Sequence, residues 1–105
     1  MEYGFVRVAA ATPYIKVADC FYNAKNIIED IKKAEKNKAS IICFTELCIT
    51  GYTCSDLFLQ DSLLQDSKKA LKHIVQETKD LNITCIVGMP IEFLGKLYNS
   101  AVCFY

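Results

Sequence analysis

The chain has 105 residues, 52% of them apolar, with only two prolines. That length suits one domain and leaves no room for two, and the apolar share supports a packed core and argues against disorder. Twelve Lys and Arg balance twelve Asp and Glu, so no basic stripe marks a nucleic-acid surface and no polybasic run marks a membrane surface.

The first predicted element is a strand, Phe5-Val6-Arg7-Val8-Ala9-Ala10, closed by Thr12-Pro13. Asp19 offers an N-cap for a helix from about Cys20 to Asn37. Phe21, Ala24, Ile27, Ile28, Ile31 and Ala34 recur at steps of three and four residues, which makes one face apolar. Lys25, Glu29, Lys32, Lys33 and Lys36 fall on the opposite face and read as a solvated surface. Ser40-Ile41-Ile42-Cys43-Phe44 is a short continuous apolar run, the pattern of a strand buried on both faces.

A polar, glycine-bearing stretch follows from Thr45 to Ser55. A second helical region begins near Asp56, with a break near Asp61-Ser62, and runs to about Leu81. Its apolar stripe is Leu63, Leu64, Ala70, Leu71, Ile74 and Val75. Ile83 to Gly88 is a third strand, expected to end at Met89-Pro90. The last segment has the form of a hairpin: Ile91-Glu92-Phe93, a turn around Gly95-Lys96, then Leu97 to Tyr105. The order strand, helix, strand, helix, strand, strand defines an α/β protein with helices packed on a sheet. The sequence stops inside a strand pattern, Val102-Cys103-Phe104-Tyr105. A bare apolar strand invites edge pairing, so the expectation is a piece of a longer domain.

Six cysteines raise the question of disulfides or metal, and spacing answers it. No Cys-x-x-Cys pair occurs, and the only histidine, His73, lies in a helical pattern far from the cysteines. The expectation is therefore no metal site and reduced thiols. Cys43, Cys85 and Cys103 lie in strand-like runs, where a thiol behaves as a small buried hydrophobe. The first eleven residues contain Glu2 and Arg7 and lack the apolar core of a signal peptide. No apolar run approaches the length of a bilayer span. A soluble, cytoplasmic protein is the expectation.

Chemistry concentrates in Phe44-Thr45-Glu46-Leu47-Cys48-Ile49-Thr50-Gly51-Tyr52. Glu46 follows directly on an apolar strand, at its C-terminal end, where open α/β sheets bind ligands. A carboxyl group between apolar walls has its pKa raised, which suits proton transfer near neutral pH. On position alone, a helix-capping or ion-paired glutamate is the competing interpretation.

The segment Glu46-Leu47-x-x-Thr50-Gly51-Tyr52 resembles the glutamate motif of the nitrilase, or carbon–nitrogen hydrolase, superfamily. Arg7-Val8-Ala9, leading through Thr12-Pro13 to a helix with Asn23, resembles the start of such domains. Tyr98-Asn99-Ser100-Ala101 resembles the strand that follows their second helix. Asp56-Leu57-Phe58 is similar to the branch of the superfamily that forms the glutaminase domains of NAD⁺ synthetases. The fold this implies is a four-layer α-β-β-α sandwich, of which the chain supplies roughly half.

The activity the resemblance implies is hydrolysis of the glutamine amide by a Glu-Lys-Cys set, with Glu46 as the catalytic glutamate. Tyr52 would lie near the substrate pocket, or else be a packed tyrosine; Gly51 would permit an unusual backbone conformation, and Asn99 would make structural hydrogen bonds. The family's lysine and cysteine lie downstream of the stretch that ends at Tyr105. Lys96, Cys48 and Cys54 do not match their motifs. No cofactor is expected in this chain. ATP and Mg²⁺ are expected in a synthetase domain beyond it, which amidates deamido-NAD⁺, and self-association into a homo-oligomer is expected. The alternatives are a stand-alone amidase or nitrilase, and a non-catalytic α/β interaction module.

Overall fold

The computed structural model describes residues 6–16, 19–50 and 61–105. Six elements follow one another: β1 (Val8–Ala11), α1 (Cys20–Lys36), β2 (Ile41–Phe44), α2 (Asp61–Thr78), β3 (Thr84–Phe93) and β4 (Lys96–Phe104). The predicted alternation holds. The stretch 56–60, where the second helix was expected to begin, lies outside the described residues.

Helix α1 begins where its cap requires. The Asp19 carboxylate accepts a hydrogen bond from the Tyr22 amide at 3.1 Å, satisfying one of the amides that a helix start leaves unpaired. Lys33 and Lys36 stand in the last turn, on the side the helix dipole favours. Lys38, at φ 64°, then closes the helix. Its amide bonds Glu35 O and the Ala39 amide bonds Ala34 O, the paired bonds of a Schellman motif. Cys20, Asn23, Ala24, Ile27, Ile28, Ile31 and Ala34 are buried. Phe21 was assigned to that stripe but is 52% exposed. It lies at the stripe's rim, about 100° around the helix from Cys20, which takes the inward position. In α2, Leu63, Leu64, Ala70 and Ile74 are buried, whereas Val75 is exposed. Ser67 and Thr78 are buried too, their hydroxyls donating to Leu64 O and Ile74 O.

The strands form one sheet in the order β1-β2-β3-β4. The first three run parallel and β4 pairs antiparallel with β3. Right-handed crossovers between successive neighbouring strands carry both helices to the same face, and α1 and α2 pack against each other there. That face holds the core: Ile42, Phe44, Cys85, Val87 and Met89 against the helices, with Ala9, Ala11, Val102 and Phe104 beside them. No described element covers the opposite face. Ala10, Cys43, Ile86 and Cys103 form one row across it, and Val8 is 65% exposed.

Two expectations are corrected here. The strand 41–44 is buried on one face, not both, and Cys43 and Cys103 are exposed where buried thiols were expected. The cause is the same for both: two helices on one side leave the other side of the sheet bare. Cys20, Cys48 and Cys85 are buried, and none of the five described cysteines is in a disulfide.

The third strand does not end at Met89-Pro90. It continues through Pro90 to Phe93, with Pro90 opposite Asn99. Along a strand, successive residues direct their amides to alternate sides. The Thr84 amide bonds Ser40 O and the Gly88 carbonyl accepts from the Ile49 amide, so even-numbered residues face away from β4. Pro90 shares that side, and its missing N–H removes nothing from the β3–β4 ladder. The hairpin closes in two residues, Leu94 (φ 51°) and Gly95 (φ 76°), the doubly left-handed turn that matches strand twist. No helix among the described residues is long and apolar enough to cross a membrane.

Candidate active site

Strand β2 stops at Phe44, and the chain turns over residues 46–50. Thr45 and Glu46 leave the C-terminal end of the strand, and Leu47, Cys48, Ile49 and Thr50 fold back into the interior, all buried. Leu47 makes the reversal with φ at 51°, a conformation that costs a side-chain-bearing residue on the order of 1–2 kcal/mol. Such strain persists where surrounding contacts over-determine it, and here three contacts do.

The first is a close approach to β3. A Cβ added at Gly88 would lie 2.4 Å from the Leu47 amide nitrogen and 3.1 Å from Thr45 O. Only a glycine lets the turn lie this near the strand. The second is a set of bonds around Gly88. The Ile49 amide donates to Gly88 O at 3.2 Å, and the Gly88 amide donates to Cys48 Sγ at 3.4 Å. The third comes from α1. Asn23, fully buried, donates through Nδ2 to Ile49 O and to Lys16 O, both at 2.8 Å. Its Oδ1 accepts from the Lys16 amide at 2.7 Å. One side chain thus ties the segment before α1 to the turn after β2, with all its polar atoms in use.

These contacts deliver Glu46 to the open face of the sheet, at the mouth of a depression of about 260 Å³. Cys43, Ile86, Gly88, Asn99 and Ala101 line it with Glu46. Asn99 stands on β4, opposite Pro90, and its Nδ2 donates to Glu46 Oε1 at 2.5 Å. The apolar walls expected around Glu46 are only partly in place. The residue is exposed, because the described elements bound the depression on the sheet side alone. Cys48, the nearest thiol in sequence, points into the core, where burial pushes its pKa up to about 11. A protonated, enclosed thiol is no nucleophile at neutral pH. Lys96, expected in the hairpin turn, is the first residue of β4, opposite Phe93. Gly51, Tyr52 and Cys54 lie outside the described residues.

The sequence pointed to Glu46 and, through the family resemblance, to Asn99 as a maker of structural hydrogen bonds, but not to Gly88 or to what Asn23 holds. Gly88 and Asn23 meet the turn across 26 to 43 residues of chain, and Asn99 meets Glu46 across 53. One local signal was present: a glycine inside a strand pattern marks a close backbone approach.

Residues 7–105 match the carbon–nitrogen hydrolase family, and the chain belongs to that family. Within it, the similar curated proteins are glutamine-dependent NAD⁺ synthetases. The one from Mycobacterium tuberculosis is 36% identical over 104 residues, covering 99% of this chain and 15% of the relative. The one from Thermotoga maritima is 32% identical over 96 residues, or 91% of this chain and 16% of the relative. The chain therefore spans about one seventh of the length of these proteins. Among solved structures, the glutamine-dependent NAD⁺ synthetase of Cytophaga hutchinsonii superposes with a TM-score of 0.86 at 33% identity, over 93% of this chain and 17% of that one. An amidase from Nesterenkonia sp. AN1, solved as a double mutant with acrylamide, gives a TM-score of 0.77 at 17% identity, a likeness of fold alone. The fold is that of the nitrilase-type proteins, in the part that carries four strands and two helices.

Proposed function

We propose that this chain is the first part of a glutamine-hydrolysing unit, in a longer enzyme that passes the released ammonia to ATP-dependent amidation of deamido-NAD⁺. The observation that carries this reading is the placement of Glu46. A strained, clamped turn fixes the Glu46 backbone at the C-terminal end of a parallel strand, beside an open depression, in a chain of the carbon–nitrogen hydrolase family. A carboxylate is the base such chemistry needs, because amide hydrolysis requires a proton to be taken from the attacking group and returned to the leaving nitrogen.

In this reading Glu46 takes the proton of a cysteine thiol as the sulfur attacks the glutamine amide carbon, and returns it to the departing ammonia. A lysine steadies the negative oxygen of the tetrahedral intermediate. Water then releases glutamate from the thioester. By the resemblance to the family, the lysine and cysteine would come from positions downstream of the strand that carries Asn99; Lys96 and Cys48 do not match their motifs. Tyr52 would border the bound substrate. Among the described residues no group of three or more His, Cys, Asp or Glu could hold a metal ion. ATP and Mg²⁺ belong to the proposed synthetase part. The bare apolar face of the sheet supports burial against further chain, as in a complete α-β-β-α sandwich. A cytoplasmic setting and self-association of the whole enzyme complete the reading.

The test is Glu46→Gln in the full-length protein. Loss of the base costs about 10²–10⁴-fold in the glutamine-dependent rate, while synthesis from added ammonia is retained. A glutamine-dependent rate near wild type would remove Glu46 from the chemistry.

A further inference from the structure

Glu46 is exposed, and a glutamate side chain has three torsions with which to swing its carboxylate away from a reacting group. The clamped turn fixes its backbone but not its far end. Among the described residues, the one hydrogen bond its carboxylate accepts is from Asn99 Nδ2. Asn99 is itself well placed to hold something. It lies within the β3–β4 ladder, two residues past Leu97 and opposite Pro90. By strand alternation its side chain shares the open face with Ala101 and Cys103, the face that carries the depression.

We propose that Asn99 is a positioning residue that holds the Glu46 carboxylate by Oε1, leaving Oε2 to take and return the proton. This rests on the reading of Glu46 as the base. The chemistry favours an amide in this role. An asparagine Nδ2 is a donor that does not titrate, so it can fix a carboxylate without competing for the proton that the carboxylate must move. A lysine or arginine at the same point would hold it more tightly but would weaken it as a base. Holding a reacting group in its working geometry accounts for a large share of rate, and a misplacement of about 1 Å costs on the order of 10²-fold. Among the described residues, the other ionisable group lining the depression is the Cys43 thiol.

The experiment compares Asn99→Ala, Asn99→Asp and Glu46→Gln in the full-length enzyme, measuring glutamine-dependent and ammonia-dependent synthesis side by side. For Asn99→Ala the glutamine-dependent kcat falls roughly 10- to 100-fold, with KM for glutamine within about threefold and the ammonia-dependent rate retained. For Asn99→Asp the acid limb of the glutamine-dependent kcat/KM profile moves to higher pH, because a second carboxylate beside Glu46 disfavours its charged form. A merely structural asparagine would not move that limb. A glutamine-dependent kcat within twofold of wild type in Asn99→Ala, while Glu46→Gln is inactive, overturns the positioning role and leaves the reading of Glu46 intact. Equal loss of both activities in Asn99→Ala marks a structural residue and overturns it as well. Full glutamine-dependent activity in Glu46→Gln overturns both.

Discussion

Gly88→Ala is the most informative single change, because its effect can be worked out from one distance. The new Cβ would stand 2.4 Å from the Leu47 amide nitrogen, where real contacts of this kind begin near 3.0 Å and relax only beyond 3.4 Å. The turn must therefore retreat by roughly 0.6–1 Å, on the geometry of overpacked sites. Backbone cannot rotate out of the way as a side chain can. The turn is also tied at both faces, by the Ile49 amide to Gly88 O and by Asn23 to Ile49 O. Overpacking of this kind costs about 1–3 kcal/mol, and the displacement is carried straight to Glu46, one residue away. In the full-length enzyme, the denaturant midpoint should fall by the corresponding amount. The glutamine-dependent rate should drop on the order of 10²-fold, with ammonia-dependent synthesis retained. A variant as stable as wild type and fully active on glutamine would refute the claim that Gly88 sets the position of the turn.

Other changes probe the frame around the site. Asn23→Ala leaves Ile49 O, Lys16 O and the Lys16 amide without their partner and should destabilise by roughly 2–4 kcal/mol, read from the shift in denaturant midpoint; a loss under about 0.5 kcal/mol would contradict the clamp. Leu94→Asn should stabilise by up to about 1 kcal/mol, since Leu94 is 86% exposed at φ 51° and Asn tolerates that conformation; a lower thermal midpoint would count against the turn assignment. Alkylation of the 105-residue chain, whose open sheet face is bare, should modify Cys43 and Cys103 first and Cys48 and Cys85 slowly, as peptide mapping would reveal. Burial raises both Cys48 and Cys85 from 9.0 to about 11, so the stabilisation from keeping them protonated is fully present below pH 9 and is lost as pH rises towards 11. Labelling of all four at one rate would contradict their placement.

How much of this could be read from the residues depends on the range of the interaction. Helix α1 was legible because its signals are local: Asp19 at the cap, a three-and-four periodicity, and an abrupt end after Lys36. The hairpin was legible because Gly95 follows a strand run and precedes another. Glu46 was legible through the resemblance of Glu46-Leu47-x-x-Thr50-Gly51-Tyr52 to the family's glutamate motif, since its place after an apolar strand left a capping or ion-paired glutamate in competition. The continuation of β3 through Pro90 was not legible, because whether a proline breaks a strand depends on which way its missing amide would face. The exposure of Cys43 was hidden for a related reason, as an apolar run does not report which side its helices occupy. Gly88 and Asn99 share this limit, since their roles exist only once β3, β4 and the turn after β2 have met.

In the proposed reaction the Glu46 carboxylate meets the reacting amide in the depression on the open face of the sheet. The most direct measurement is an experimental structure of the full-length protein with glutamine bound, in a variant too slow to turn it over. A Glu46 carboxylate oxygen should lie within about 3.2 Å of the attacking group or the departing nitrogen, with Asn99 Nδ2 still bonded to the other oxygen. Glutamine bound elsewhere, or Glu46 turned away from the amide with its carboxylate paired to another group, would contradict it.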